Sequence, residues 1–159
     1  NIKIYGAVNG RDKVGGVVGI NTASDSKLIA SHISVTGTGN NVGGILGEHI
    51  SGRIENSYSD GAISGVDYVG GLAANVITSG DIRTSYTQSA LTFTGANKGA
   101  VDGANTSIIP PTNTYFNSSV YATSVSGTGE TLVELGTVNT FSNWDFTKWL
   151  LPDFAPPRN

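Results

Sequence analysis

Val14-Gly15-Gly16-Val17-Val18-Gly19 returns as Val42-Gly43-Gly44-Ile45-Leu46-Gly47 and again as Val69-Gly70-Gly71-Leu72-Ala73-Ala74, 28 and then 27 residues further on. A degraded fourth copy, Lys98-Gly99-Ala100-Val101-Asp102-Gly103, follows after 29. Self-similarity at such a period marks a repeat architecture, in which each unit is too small to bury its own apolar face and must stack on its neighbours. The flanks repeat too. Gly6-Ala7-Val8-Asn9-Gly10 matches Gly61-Ala62-Ile63-Ser64-Gly65 at an offset of 55, two repeat lengths. Ile54-Glu55-Asn56-Ser57-Tyr58-Ser59 is echoed by Ile82-Arg83-Thr84-Ser85-Tyr86-Thr87 and by Asn113-Thr114-Tyr115-Phe116-Asn117.

Short strands punctuated by Gly, Asn, Ser and Asp turns follow from this pattern, because Gly accepts positive φ and Asn or Asp bond their own backbone in turns. Period-2 alternation is visible in Leu91-Thr92-Phe93-Thr94. The reading is all-β: a right-handed parallel β-solenoid (β-helix) of about four coils. Val42, Ile45, Ile54, Ile63 and Val69 are its stacked interior. In each Val-Gly-Gly block, one glycine should permit a tight corner and the other a close approach of the neighbouring coil. No Gly-Lys-Ser or Gly-Lys-Thr follows, as a phosphate loop requires.

Composition agrees. Among 159 residues there are 22 glycines and only 13% charged side chains, against about 25% in an ordinary domain. The 38% apolar content still suffices for a core and argues against intrinsic disorder. A formal charge of -3 with the basic residues scattered leaves no stripe to neutralise a phosphate backbone, so nucleic acid is not an expected partner. There is no cysteine, hence no disulfide, thiolate nucleophile or zinc-thiolate site. No apolar run approaches the roughly 18 residues of a membrane span. The chain starts at Asn1 without an initiator methionine, as a processed product or a piece of a longer protein would.

The blocks Val14 to Asn21, Val42 to Gly52 and Val69 to Asn75, with their Asn-Ser-Tyr-like halves and Gly-Ala-Ile-Ser-Gly-like returns, resemble the GLUG repeat. That repeat occurs in bacterial surface and secreted proteins, including filamentous-haemagglutinin-like adhesins and the non-catalytic part of immunoglobulin A metallopeptidases. Phe141-Ser142-Asn143-Trp144-Asp145-Phe146-Thr147-Lys148-Trp149 is similar to the closing segment of such proteins, and departs from it after Trp149. The resemblance implies an extracellular or cell-surface location. It divides the chain into repeats over 1–112 and an aromatic-rich closing segment over 113–159, with Phe141, Trp144, Phe146 and Trp149 expected to lid the last coil. Pro110, Pro111, Pro152, Pro156 and Pro157 suit an edge that must not grow.

Candidate chemistry is sparse. His32 and His49 have no metal-ligand spacing and no His-Glu-x-x-His context. Parallel β-helices can host glycan-cleaving acids, and Asp12 and Asp67 hold one repeat position two coils apart, about 9.6 Å by strand spacing, near the limit for an inverting pair. Glu55 and Asp60 lie close to Asp67 in the same coil. Aspartate in a Gly-rich corner is ordinarily a turn former, so no catalytic residue is assigned. Gly and Asp corners make calcium the one conceivable ion. The Gly-Gly-x-Gly-x-Asp nonapeptide is not found, and neither cofactor nor metal is expected. Asn105-Thr106-Ser107 and Asn117-Ser118-Ser119 match glycosylation acceptors, a frequent accident in Asn-rich chains.

Tyr58, Tyr86 and Tyr115 recur at one repeat position and should form a column. Facing inward they are core; facing outward they form, with Trp144 and Trp149, a contact surface for a sugar or protein. Ile54 and Ile82 precede the first two by four residues and share their parity, which points the rings inward. The expected function is a non-catalytic structural or adhesive surface module. Its partners would be a host or neighbouring-cell protein or glycan, or copies of itself. Self-assembling fibre subunit and carbohydrate-binding or carbohydrate-cleaving β-helix are the alternatives.

Overall fold

A computed structural model describes residues 2–136 and residue 141. The first coil holds β1 (Ile2–Gly10), β2 (Val14–Gly15), β3 (Val18–Asn21) and β4 (Ser26–Lys27), and the second β5 (Ile29–Gly37), β6 (Val42–Gly43) and β7 (Leu46–Glu55). The third coil holds β8 (Tyr58–Ser59), β9 (Ile63–Ser64), β10 (Val69–Gly70) and β11 (Ala73–Thr87), the last running on into the fourth. There follow β12 (Leu91–Thr92), β13 (Lys98–Gly99), β14 (Asp102–Asn105), β15 (Thr112–Asn117) and β16 (Thr128–Glu130). Every pairing is parallel and joins equivalent positions of successive coils: Val14 to Val42 to Val69 to Lys98, and Ser26 to Ile54 to Ile82. The protein is a β-solenoid of about four turns. The ladder continues across residue 112, since β15 pairs with β11 and β16 with β15.

The interior is the expected one. Val42, Ile45, Leu46, Ile54, Val69, Leu72 and Ile82 are fully buried, and each such side chain is worth roughly 1.5–3 kcal/mol relative to exposure. The paired glycines are needed for closeness. A Cβ on Gly15, Gly43 or Gly70 would overlap the carbonyl oxygen three residues ahead, of Val18, Leu46 or Ala73. A Cβ on Gly16 or Gly44 would overlap the carbonyl of the next coil's Gly44 or Gly71. One glycine therefore serves the tight turn and the other the stacking.

Left-handed backbone falls on other residues. Lys13, Asn41 and Tyr68 have φ of 55°, 62° and 53°, and Leu28, Asn56, Thr84 and Asn113 have φ of 56°, 49°, 42° and 49°. These are two stacked corners, one just before each Val-Gly-Gly block and one just before Ile29-Ala30, Ser57-Tyr58, Ser85-Tyr86 and Thr114-Tyr115. Beside the second corner runs a column of hydroxyls. Ser57 Oγ donates to the Glu55 carbonyl at 2.9 Å and accepts from the Ile29 N–H at 3.2 Å, while Ser85 Oγ donates to Arg83 O and accepts from the Ser57 N–H. Side-chain oxygens thus bond backbone groups that the corner takes out of the ladder.

The second corner corrects the expected orientation of the tyrosines. A left-handed residue inserted between Ile54 and Tyr58 resets the alternation, so the parity they share in sequence is lost. Ser59 Oγ bonds the Gly71 carbonyl across the coil, and Tyr58 between Ser57 and Ser59 points to the outer face. Tyr58 and Tyr86 accordingly pack with Ala30, Leu135 and Phe141, apart from the cluster that contains Ile54 and Ile82.

A single helical turn, α1 (Leu132–Leu135), stands where Thr131 to Leu135 permits one. Thr131 caps it, and Glu134 returns the bond to the Thr131 N–H. Its Leu135 and the buried Phe141 lie laterally against Tyr86 and Tyr115. Phe141 thus covers the side of the solenoid, not the end of the last coil. Trp144, Phe146 and Trp149 fall outside the described residues.

Candidate functional site

Outward positions on the strand after the second corner build a ladder of rings. Tyr5, on β1, stacks on His32 at 4.5 Å between centroids and 8° between planes. His32 meets Tyr58 edge-on at 5.4 Å, and Tyr58 stacks on Tyr86 at 4.9 Å and 21°. Phe141 then contacts Tyr86 at 6.3 Å and Tyr115 at 5.2 Å. The ladder is open at its first rung, where Tyr5 is 69% exposed, and covered further along, where Tyr58 and Tyr86 are 2% exposed. Tyr115 is half-buried, and burial together with the nearby Glu130 charge raises its hydroxyl pKa. The structure therefore brings Tyr58, Tyr86 and Tyr115 into one column. Trp144 and Trp149, the other two residues of the expected contact surface, lie outside the described residues.

His32 is fixed from both sides. Its Nδ1 lies 2.8 and 2.9 Å from the two Asp60 carboxylate oxygens, and its Nε2 lies 3.0 Å from the Tyr58 hydroxyl. Both ring nitrogens are therefore occupied, one by the carboxylate and one by the tyrosine hydroxyl.

A second outer feature lies just before the corner, and sequence reasoning missed it. Asp25, Arg53 and Asp81 occupy one column, and Lys27, Glu55 and Arg83 the adjacent one, so charge alternates in both directions. Lys27 Nζ reaches Asp25 at 3.0 Å and Glu55 at 3.1 Å, Arg53 reaches Asp81 at 3.2 Å, and Arg83 also binds Asp81. A hydrogen bond from Lys27 lowers the Asp25 pKa, and one to Asp81 raises that of Arg53. The signal was available: both triplets recur at intervals of 28 residues with inverted sign.

Asp12 and Asp67 serve the backbone. Asp12 accepts from the Asn40 N–H at 2.9 Å, a bond that lowers its pKa ahead of the contribution from Arg11. Asp67 accepts from the Asn97 N–H and side-chain amide at 2.7 and 2.9 Å. Each therefore ties its corner to the next coil, and neither faces the other across a cleft. His49 is buried between Asn21 and the Asp81 carbonyl, and loss of solvation lowers its pKa. Among the described residues no three His, Cys, Asp or Glu side chains converge as a metal site, and no helix is long and apolar enough to cross a membrane.

Comparison with known proteins agrees with this architecture. Residues 38–64, one full turn from the first corner of the second coil into the third, match the GLUG motif. Among solved structures the chain is similar to a "putative immunoglobulin A1 protease" from Bacteroides ovatus, with a TM-score of 0.69 and 25% identity. The match covers 90% of this chain and 51% of that one, so the chain spans about half the length of that relative. No curated protein sequence matches it.

Proposed function

We propose that this chain is a non-catalytic, extracellular module of a bacterial surface protein, a stiff spacer whose outer faces serve as contact surfaces. One observation carries the reading: five acids spread along the coils each have a partner one coil away. Asp12 binds Asn40, Asp60 binds His32, Asp67 binds Asn97, Glu55 binds Lys27 and Asp81 binds Arg53. Groups that a hydrolase would aim at a substrate are here used to join neighbouring turns. The GLUG motif and the immunoglobulin A1 protease relative support a place in a larger secreted or surface protein, next to whatever active domain that protein holds. The module takes no cofactor or metal. Its partners are a host or neighbouring-cell protein or glycan.

The test is the double variant Asp12→Asn, Asp67→Asn with a panel of bacterial and plant glycans. The expected result is a lowered melting temperature and no glycan cleavage by either protein. Cleavage by the parent that disappears in the double variant overturns the reading in favour of a β-helix hydrolase. A melting temperature unchanged by chelation is expected as well.

Self-assembly is a second reading, favoured by the first coil. Strand β1 pairs with β5 along one edge, while Ile2, Tyr5 and Ile20 on the same coil are 58%, 69% and 45% exposed. Among the described residues β1 pairs with β5 alone, and an unpaired nine-residue strand edge accepts a further strand, whether of the same polypeptide or of another copy. Light scattering that stays monomeric up to millimolar concentration argues against it.

A further inference from the structure

The repeat is least regular beside the charge columns. Between Val76 and Ser79, β11 carries one residue more than β7 does between His49 and Ser51, and Thr78 in that bulge has φ of 56°. Opposite it, Gly52 has φ of 89°, and a Cβ there would overlap the Ser24 carbonyl. The two irregularities open a hollow of about 230 Å³ lined by Asp25, Gly52, Arg53, Ser79, Asp81 and Ile109. Bulges commonly sit where a sheet must re-aim a side chain.

Asp81 is the unusual member. It is only 4% exposed, its Oδ2 receives Arg53 and Arg83, and its buried Oδ1 has no partner. Arg83 Nε is buried and unpartnered too. Asp67, which only ties coils together, engages both of its oxygens. Of these two groups only Asp81 lines the hollow, so the hydrogen-bonding capacity left over there is that of one carboxylate oxygen, where buried polar groups are normally satisfied.

We propose that this hollow is a binding site for a single neutral, hydroxyl-bearing sugar ring of a glycan. An anion would face Asp25 and Asp81, and a cation would face Arg53. A hydroxyl group donates to a carboxylate and accepts from a guanidinium, so a neutral polyol suits both signs. Ile109 offers an apolar patch to the ring's C–H face. The volume lies below the roughly 300–1,000 Å³ of drug-sized pockets, which matches one ring and not a chain. The site rests on the contact-surface half of the proposed function, and the spacer half stands without it.

The test is a titration of the isotopically labelled chain with methyl glucopyranoside, methyl galactopyranoside and N-acetylglucosamine, with sodium sulfate as the anion control. One of the sugars is expected to move the amides of Gly52, Arg53, Ser79 and Ile109 saturably, with a Kd on the order of 1 mM, as suits a shallow site. Asp25→Asn should weaken binding about tenfold, and Ser79→Leu, which fills the hollow, should abolish it while the rest of the spectrum stays in place. Shifts with sulfate alone, shifts centred on Tyr5 and His32, or no shifts at all overturn the site. None of these alters the expected melting of the Asp12 and Asp67 variants.

Discussion

Gly44 and Asp102 show how narrowly single positions are set. A Cβ at Gly44 would meet the Gly71 carbonyl, part of a backbone held by the next turn, so the strain cannot be relieved by a rotamer change. Gly44→Ala should therefore cost about 1–3 kcal/mol, read as a lower denaturation midpoint. The fourth block already carries alanine at the matching place, Ala100, at the last strand of the four-stranded sheet. Asp102 stands in the column of Val18, Leu46 and Ala73 and is fully buried, with Oδ2 accepting from Asn105 at 2.8 Å and Ser126 at 2.6 Å and Oδ1 unpartnered. Burial raises its pKa against those hydrogen bonds. Its folded pKa thus lies above the unfolded one, and its stabilising contribution is complete below the unfolded value and lost as pH rises through the folded value. Asp102→Asn should remove that part of the pH dependence and raise the melting temperature near neutrality, by roughly 2–4 °C per kcal/mol gained. A variant that melts lower at pH 7 and keeps the parent's pH profile would contradict this.

Columns are the unit at the next scale, and their legibility in sequence differed by type. Val14, Val42 and Val69 were readable because the glycines beside them fix the alignment, and they do stack. Val42→Asp would bury a carboxylate against both neighbours and should cost several kcal/mol, seen as loss of the cooperative melt. The tyrosine column was readable as a column but not in its direction. Asn56 and Asn113 belong to a residue type that turns left-handed readily, but Thr84 and Leu28 at the equivalent places rarely do so, and that hides the corner in the sequence. The charge columns went unread because each residue looks like an ordinary exposed ion. Ser57→Ala tests the hydroxyl column. It leaves the buried Ile29 N–H without its acceptor and should cost about 1–3 kcal/mol, whereas Ser57→Thr should be much milder, as Thr114 at the equivalent place implies.

For the molecule as a whole, Leu135 and Phe141 lie on the flank, over Tyr86 and Tyr115. Truncation after Glu130 should leave the β-rich circular dichroism intact and make the tyrosines accessible to acrylamide quenching. A lid on the end of the last coil would instead leave them shielded. The uniform parallel stacking also has a mechanical consequence. Strands lie across the long axis, and each turn is bonded mainly to the two beside it. A pull between the chain's ends therefore loads the hydrogen bonds of one edge turn in sequence, like a zipper, and does not shear the whole sheet at once. In an optical trap the chain should lengthen by a series of nearly equal steps. Each step frees one repeat of about 28 residues at about 3.5 Å apiece, close to 100 Å of contour, so the module would yield gradually and absorb work where a sheared domain would snap.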